Sequence, residues 1–181
     1  ARALTSTSLR NVDGMGKGYI VEFLHKSSLL SVRDPVVDLS ELQLTMADLE
    51  GYKLLGASLQ RADLRNAILR SADLSTADLR ASRFVDADMS RAILKESYMR
   101  EADLTGVKLK EANLNAATLT KAILVDSDLT AANLEEANLS SADLTGANLN
   151  EANLRSAKLR GAKLCKGKLQ RADLRLANLS N

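Results

Sequence analysis

A five-residue pattern of hydrophobic and polar positions runs without interruption from Val37 to Asn181. Twenty-nine consecutive units fit this interval with no insertion or deletion, and the central position of the unit is Leu in 26 of them. The position two residues earlier is Ala in 21 units. We call the central residue i, so that the recurrent alanine is i−2. A representative unit is Ala62-Asp63-Leu64-Arg65-Asn66.

The five-residue period excludes an amphipathic helix, although Ala and Leu are the strongest helix formers. At about 100° per residue, each leucine would lie roughly 140° from the last, and no polar face would remain. In an extended chain, i−2 and i point to the same side and i−1 to the other. We therefore predict a very short strand in each unit, with Ala and Leu inward. A bend at i+1 and i+2 then winds the chain into a parallel coil.

The repeated A-(D/N)-L-x-x pattern resembles the pentapeptide-repeat family. The resemblance implies an all-β solenoid, a right-handed quadrilateral parallel β-helix with four units per turn. A right-handed coil also agrees with the general rule for parallel crossover connections. On this basis residues 37–181 form about seven coils, a rod about 35 Å long at roughly 4.8 Å per coil.

Some inward positions depart from Ala and Leu. Ser82, Ser97 and Ser127 replace alanine, and we expect their hydroxyl groups to bond to backbone carbonyls of the wall. Phe84 replaces a central leucine beside Ser82, which suggests a local adjustment of volume. We interpret these positions as packing features, since so narrow an interior leaves no room for a ligand.

Residues 1–36 do not follow the repeat and are predicted to cap the first coil within one structural domain. Apolar residues at helical spacing predict a helix from about 17 to 30, because the end of a solenoid must be covered. The segment from Gly18 to Leu24, leading into Asp38, resembles the cap of cyanobacterial members of the family. Some such relatives carry membrane spans upstream. At the other end the sequence shows no cap, which leaves open dimerisation or further residues over Leu164, Leu169, Leu174 and Leu179.

Composition offers little chemistry. Aromatic residues make up 3% of the chain, and 25 Lys and Arg against 23 Asp and Glu give a net charge of +2, which favours neither nucleic-acid binding nor acidic mimicry. His25 is the single histidine, and Gly14–Gly18 lacks the spacing of a phosphate-binding loop. Cys165 lies near three lysines, so both a reactive and an incidental thiol stay open. We predict no enzyme activity, no cofactor and no metal.

Residues 20 apart stack on one side of a four-unit turn, which sorts the outward residues into four faces. Face one holds the units centred on Leu44, Leu64 and Phe84, and faces two, three and four follow through Leu49, Leu54 and Leu59. Face one has four positive and five negative residues, whereas face four has six and four. A nearly uncharged stripe on face one is the candidate partner-binding face: Val85, Thr105, Ile123, Val125 and Thr145. A candidate basic strip lies on face four: Arg61, Arg80, Arg100, Lys121 and Arg160.

These faces favour a non-catalytic scaffold that binds a protein partner, with no nucleic acid expected. The alternatives are a purely structural spacer and a DNA mimic, since some members of the family resemble DNA, bind gyrase and give quinolone resistance. No face is more negative than −1, and the array lacks the register-breaking loops of several gyrase-protecting members. No signal peptide is evident. A cytoplasmic location is favoured, with a membrane-tethered or thylakoid-lumenal parent left open.

Overall fold

A parallel solenoid with a 20-residue turn makes up most of the molecule. The structure, a computed structural model, describes residues 12–26 and 40–180. Every β-bridge is parallel and joins residues 20 apart, from Gln43 with Asp63 to Lys158 with Asn178. A turn therefore contains four five-residue units, and residues 40–180 make about seven turns. The predicted boundary at 36/37 lies outside the described residues.

The backbone N–H groups of a unit bond mainly to the neighbouring coils, as the unit from Ala62 to Asn66 illustrates. The N–H of Asp63 donates to Leu42 of the coil before (2.8 Å), and that of Leu64 donates to Arg83 of the coil after (2.7 Å). The N–H of Ala62 closes a turn onto Leu59 of the same coil (3.1 Å). The Arg65 N–H donates to the side-chain oxygen of Asp63 at 3.3 Å. Asp or Asn at i−1 thus supplies the acceptor that the ladder lacks.

The corners require a left-handed backbone at i+2. Positive φ recurs at every i+2 position from Glu41 to Leu176, with values of 54° to 73°. Twenty-three of these residues are not glycine, although L-residues rarely adopt this conformation. Because turns occupy i+1 and i+2, a single bridge at i−1 is left on each side. The predicted very short strand is therefore wrong in detail, since the sides are isolated bridges.

The core contains stacked leucines and alanines. From Leu42 to Leu159 nearly all i and i−2 side chains are buried, which confirms their predicted inward direction. The inward serines bond as expected: Ser97 donates to the Leu94 carbonyl and Ser127 to that of Leu124, both at 2.7 Å. Ser82 makes the equivalent bond to Leu79. Phe84 fits beside Ser82 and is fully buried. The width of the interior is therefore set by Ala at i−2.

Helix α1 (Gly14–Lys26) covers part of the first coil. It begins three residues before the predicted start because Asp13 caps it, accepting the Gly16 N–H at 2.7 Å. The predicted end near residue 30, and the side chain of His25, lie outside what the structure describes. The Gly14–Gly18 segment therefore forms the first turn of the helix.

Close backbone contacts join α1 to the first coil. The Gly14 carbonyl accepts the N–H of Asp48 at 2.9 Å, and the Lys17 ammonium donates to the Thr45 carbonyl at 2.8 Å. A Cβ on Gly14 or Gly18 would lie 2.0 Å from a carbonyl oxygen of the rim. Val21 is buried in the core beneath the helix. The cap therefore replaces hydrogen bonds that a preceding coil would make.

The last coil is half-exposed. Leu164, Leu169 and Leu174 are partly accessible, whereas Leu179 is 52% exposed. At the corner after Leu174, Leu176 is 76% exposed. Within residues 12–26 and 40–180, no helix is long and apolar enough to cross a membrane.

Candidate interaction faces

The predicted stripe on face one is a continuous column. The N–H of Asp86 donates to the Thr105 carbonyl (3.0 Å), and that of Asp126 donates to Thr145 (2.9 Å), so successive coils stack these residues directly. The structure thereby places all five candidates on one side of the rod, in this order: Val85, Thr105, Ile123, Val125 and Thr145. Ile123 projects furthest and is 43% exposed, whereas the others are half-buried.

The threonine hydroxyls of this stripe are occupied within the wall. Thr105 Oγ1 donates to Asp103 Oδ1 at 2.7 Å, and Thr145 Oγ1 donates to Asp143 Oδ1 at 2.6 Å. These bonds from Thr145, with a weaker contribution from Lys163, hold the pKa of Asp143 below its usual range. The methyl groups are what the threonines add to the stripe, so its surface is flat and largely apolar.

The N-terminal part of face one is ionic instead. Asp63 is buried and receives two side-chain bonds from Arg65, at 2.8 and 2.7 Å, with Arg83 at 4.0 Å. Burial alone raises the pKa of Asp63, but the Arg65 bonds and the two positive charges outweigh it and leave the pKa below its usual range. The apolar stripe therefore begins above this cluster, at Val85.

The predicted basic strip on face four is largely neutralised. Arg61 pairs with Glu41 at 2.7 Å, Arg80 with Asp78 at 2.6 Å, and Arg100 with Glu101 at 3.2 Å. Among the described residues, Lys121 and Arg160 form no ion pair. The structure brings the five cations to one face, but three of them carry an adjacent carboxylate. A uniform positive surface is therefore not present on face four.

A charge difference along the rod escaped the sequence reasoning, which sorted charges by face. Residues 122–141, one full turn, contain four acidic residues and no Lys or Arg. Residues 162–181 contain five basic residues and one acidic residue, Asp173. Counting charges in windows of 20 residues would have found this signal. Arg175 holds the pKa of Asp173 at about 2 through hydrogen bonds to its carboxylate.

Other features offer weaker sites. A shallow groove on face two is lined by cations, but Arg70 pairs with Glu50 at 2.6 Å and Arg91 with Glu111 at 2.9 Å. Cys165 is a free, exposed thiol. In the described part of the chain, no three His, Cys, Asp or Glu side chains are grouped to hold a metal ion.

The cap helix also presents an apolar side away from the coils. Met15, Tyr19 and Phe23 follow one another at i, i+4 and i+8, and all three are mostly exposed. The buried positions of the helix, Lys17, Gly18 and Val21, lie on the opposite side. Sequence reasoning found the helix but not which side of it contacts the coil.

The family is decided by a match to a sequence profile. The family model for pentapeptide repeats matches the chain in eight copies, over residues 57–96, 97–135, 122–161, 132–171 and 142–181. The chain belongs to the pentapeptide-repeat family. Its solenoid is accordingly the right-handed β-helix of pentapeptide-repeat proteins.

Several solved pentapeptide-repeat structures resemble this one. Rfr23 from the cyanobacterium Cyanothece 51142 is 38% identical, with 48% of this chain and 58% of that protein covered, at a TM-score of 0.47. HetL from Nostoc sp. strain PCC 7120, a protein involved in the regulation of heterocyst differentiation, is 32% identical, covering 78% and 82%, at 0.25. A trypsin-treated form of QnrB1, a plasmid-mediated fluoroquinolone resistance protein, is 23% identical, covering 75% of each chain, at 0.52. No protein of curated function matches the chain.

Proposed function

We propose that this pentapeptide-repeat chain is a non-catalytic interaction module that binds a protein partner through face one. The observation that carries the proposal is the uncharged stripe of Val85, Thr105, Val125 and Thr145, with Ile123 projecting beside it. Because each coil repeats the last, the stripe is straight and rigid. Such a surface fits a flat, extended apolar segment of another protein.

Docking on this stripe has a low desolvation cost. The hydroxyls of Thr105 and Thr145 already donate to carboxylates of the wall, so a partner leaves no new polar group unpaired. Burial of apolar surface contributes about 25 cal/mol per Å². Ile123 is the most exposed residue of the stripe, and it is the natural anchor of the interface.

DNA mimicry is the less favoured alternative. A DNA mimic must present negative charge at a density close to one charge per about 1.7 Å, as the duplex does. Face one carries four positive and five negative outward residues, and Asp63 and Asp143 are paired with cations. The likeness to QnrB1, at 23% identity, concerns the fold alone. The third reading, a spacer without a partner, predicts that no face binds.

The test is partner capture with face-specific variants. Val85→Asp with Val125→Asp introduces two charges on the stripe. The matched control, Ser75→Asp with Asn115→Asp, places the same charges at the same positions of the repeat on face three. Proteins captured by the wild type are identified, purified and measured directly for binding to all three forms, whose folding is verified by thermal unfolding.

Loss of direct binding in the face-one variant alone supports the proposal. Equal binding by both variants places the interface elsewhere on the rod. If purified candidates fail to bind the wild type, the spacer reading replaces the proposal.

A further inference from the structure

Two adjacent columns at the edge between faces one and two run from acid to neutral to base. The corner column contains Asp126, Gly146 and Lys166, and the neighbouring column of bridged residues contains Asp128, Asn148 and Lys168. Bridges join Asp128 to Asn148 and Asn148 to Lys168, so each step is one coil. We call these six residues the acid–base edge.

The charges of this edge are available to a partner. Asp126, Lys166 and Lys168 are exposed, and none of them forms an ion pair among the described residues. The Asp126 carboxylate leans over Gly146, where a Cβ would lie 2.1 Å from its Oδ1. Asp128 is half-buried and accepts the Thr130 hydroxyl, which leaves its second oxygen free for a cation. Because Gly146 has no side chain, the Asp126 carboxylate can take this position.

Along each column the charge runs from acidic through neutral to basic. In a second copy turned upside down, the basic residue therefore lies opposite the acidic residue of the first copy. A two-fold axis that runs beside this edge, at right angles to the rod and at the level of Gly146, lays each column against the same column of another copy, upside down. We propose that a second copy of this chain binds antiparallel along the acid–base edge. Asp126 then faces Lys166 of the second copy, and Asp128 faces its Lys168. Symmetry doubles these contacts to four ion pairs, with neutral residues at the centre.

The charges also select the register. Sliding the axis by one coil, to the level of Asp126, brings Asp126 and Asp128 against the same acids of the other copy. Sliding it by half a coil opposes Lys108 and Lys168, which repel each other. At the opposite corner of face two, Glu151 is already paired with Arg171 at 3.8 Å, so that corner is internally neutral. Two levels nearer the N-terminus also pair unlike charges without opposing like ones, Lys108 with Asp128 or with Asp88, but each gives two ion pairs, whereas the level of Gly146 gives four.

An end-to-end dimer through the last coil, one of the two possibilities that the sequence left open, would bring like charges together. Residues 162–181 carry five basic residues and one acidic residue in each copy, so two such ends repel. The antiparallel pair is itself expected to be weak, because exposed ion pairs contribute about 0–1 kcal/mol each. Its association must also weaken with salt, since the Debye length is about 8 Å at physiological ionic strength. This inference does not rest on the proposed function.

The decisive experiment mixes two charge variants. Asp126→Lys with Asp128→Asn makes the edge basic, and Lys166→Glu with Lys168→Glu makes it acidic. Asn is used at 128 because Asn148 occupies the same place in the wall and accepts the equivalent backbone bond. By sedimentation at low salt, each variant alone should be monomeric, whereas their equimolar mixture should associate, because three of the four facing pairs then join unlike charges.

The control variant, Lys121→Glu with Lys158→Glu, makes the same change in net charge as Lys166→Glu with Lys168→Glu, but on face four. It should associate as the wild type does. A mixture that stays monomeric, or a control that dissociates as fully as the edge variants, overturns the proposal. Persistence of the wild-type dimer in both edge variants would point to the last coil instead.

Cys165 supplies an independent test of the register. It follows Leu164 in the i+1 column, where the antiparallel pair sets it against Val125 of the second copy. Val125→Cys should therefore give a covalent dimer under mild oxidation. Within one copy the two positions are two coils apart, roughly 9.6 Å, too far for a disulfide. The matched control, Val85→Cys, should stay monomeric, and a dimer from it in preference to Val125→Cys would refute this register.

Discussion

The two ends of the rod are built from the same repeat but differ in burial. In the first coil Leu44, Leu49 and Leu54 are fully buried, whereas Leu164, Leu169 and Leu174 of the last coil are partly exposed. The difference comes from α1, which supplies a carbonyl acceptor, an ammonium donor and the side chain of Val21 to one rim. The repeat therefore determines the wall, and burial at an end depends on what packs against it.

The largest expected effect is the loss of stability when a bulky residue replaces an inward alanine, and it should be greater in the middle of the rod than at its end. Ala92→Leu should lower the free energy of unfolding by about 3 kcal/mol, because the interior has no spare volume at i−2. Ala172→Leu, in the same column of the last coil, should cost much less, since that layer is open on one side. Tyr52, at the first-coil end of this column, already shows that a rim tolerates bulk. Thermal unfolding of both variants measures the difference, and equal destabilisation would contradict it.

A second variant weakens the covered end. Gly18→Ala places a Cβ 2.0 Å from the Asp48 carbonyl oxygen, so α1 must move away from the rim. We expect a loss of about 1–2 kcal/mol, partly offset by the better helix propensity of alanine, about 1 kcal/mol. Met15→Ala, on the exposed side of the same helix, is the control and should stay within about 0.5 kcal/mol of the wild type. Unchanged stability of the Gly18 variant would mean that the helix adds little to the first coil.

Acid titration compares carboxylates near the two ends. The folded-state pKa of Asp63 and of Asp173 is below the ordinary value of 3.8, so each stabilises the fold above that pH. This contribution is lost as the pH falls through the folded value, about 2 for Asp173. Asp63→Asn should therefore lower the melting temperature at pH 7, and the difference from the wild type should shrink as the pH falls through the lowered folded-state pKa of Asp63. Asp173→Asn should show a smaller difference because its site is exposed, and a constant offset at all pH values would contradict this account.

The smallest expected effect is the gain in stability when glycine replaces a corner residue. It should be equal near both ends of the rod, because all corners have the same left-handed backbone. Thr76 and Leu176 share one corner column and hold φ of 55° and 62°. Replacing either by Gly relieves a left-handed backbone but adds unfolded-state entropy, for a net gain of about 0.5 kcal/mol. Denaturant unfolding tests this expectation. A gain at one site only would show that corner geometry is not the common cause.

The inward and outward positions of the wall were predictable from the sequence because they follow the five-residue repeat. Period five placed Ala and Leu inward, and inward serines such as Ser97 implied their bonds to the turn carbonyl. The number of units per turn came from the family resemblance, since period five alone does not set it. The start of α1 was missed because Asp13 caps a glycine-rich turn that looks unfavourable for a helix.

The site was less predictable than the fold. The five residues of the stripe do share a face, as the 20-residue stacking required. The positive charge of the basic strip was overestimated, because stacking also brings Glu41 within 2.7 Å of Arg61. The acid–base edge was missed because its order lies along the rod, whereas charges had been summed around it.

The 20-residue register has a consequence for how this molecule tolerates changes in length. Deleting or duplicating 20 residues shortens or lengthens the rod by roughly 4.8 Å and leaves every outer column in line. Deleting a single five-residue unit leaves the core equally regular, yet it rotates everything beyond the deletion by a quarter turn. Val85 and Val125 would then point in perpendicular directions if Ala102–Gly106 were removed. Five-residue deletions thus rotate one part of the outer surface relative to another by a right angle without altering the interior.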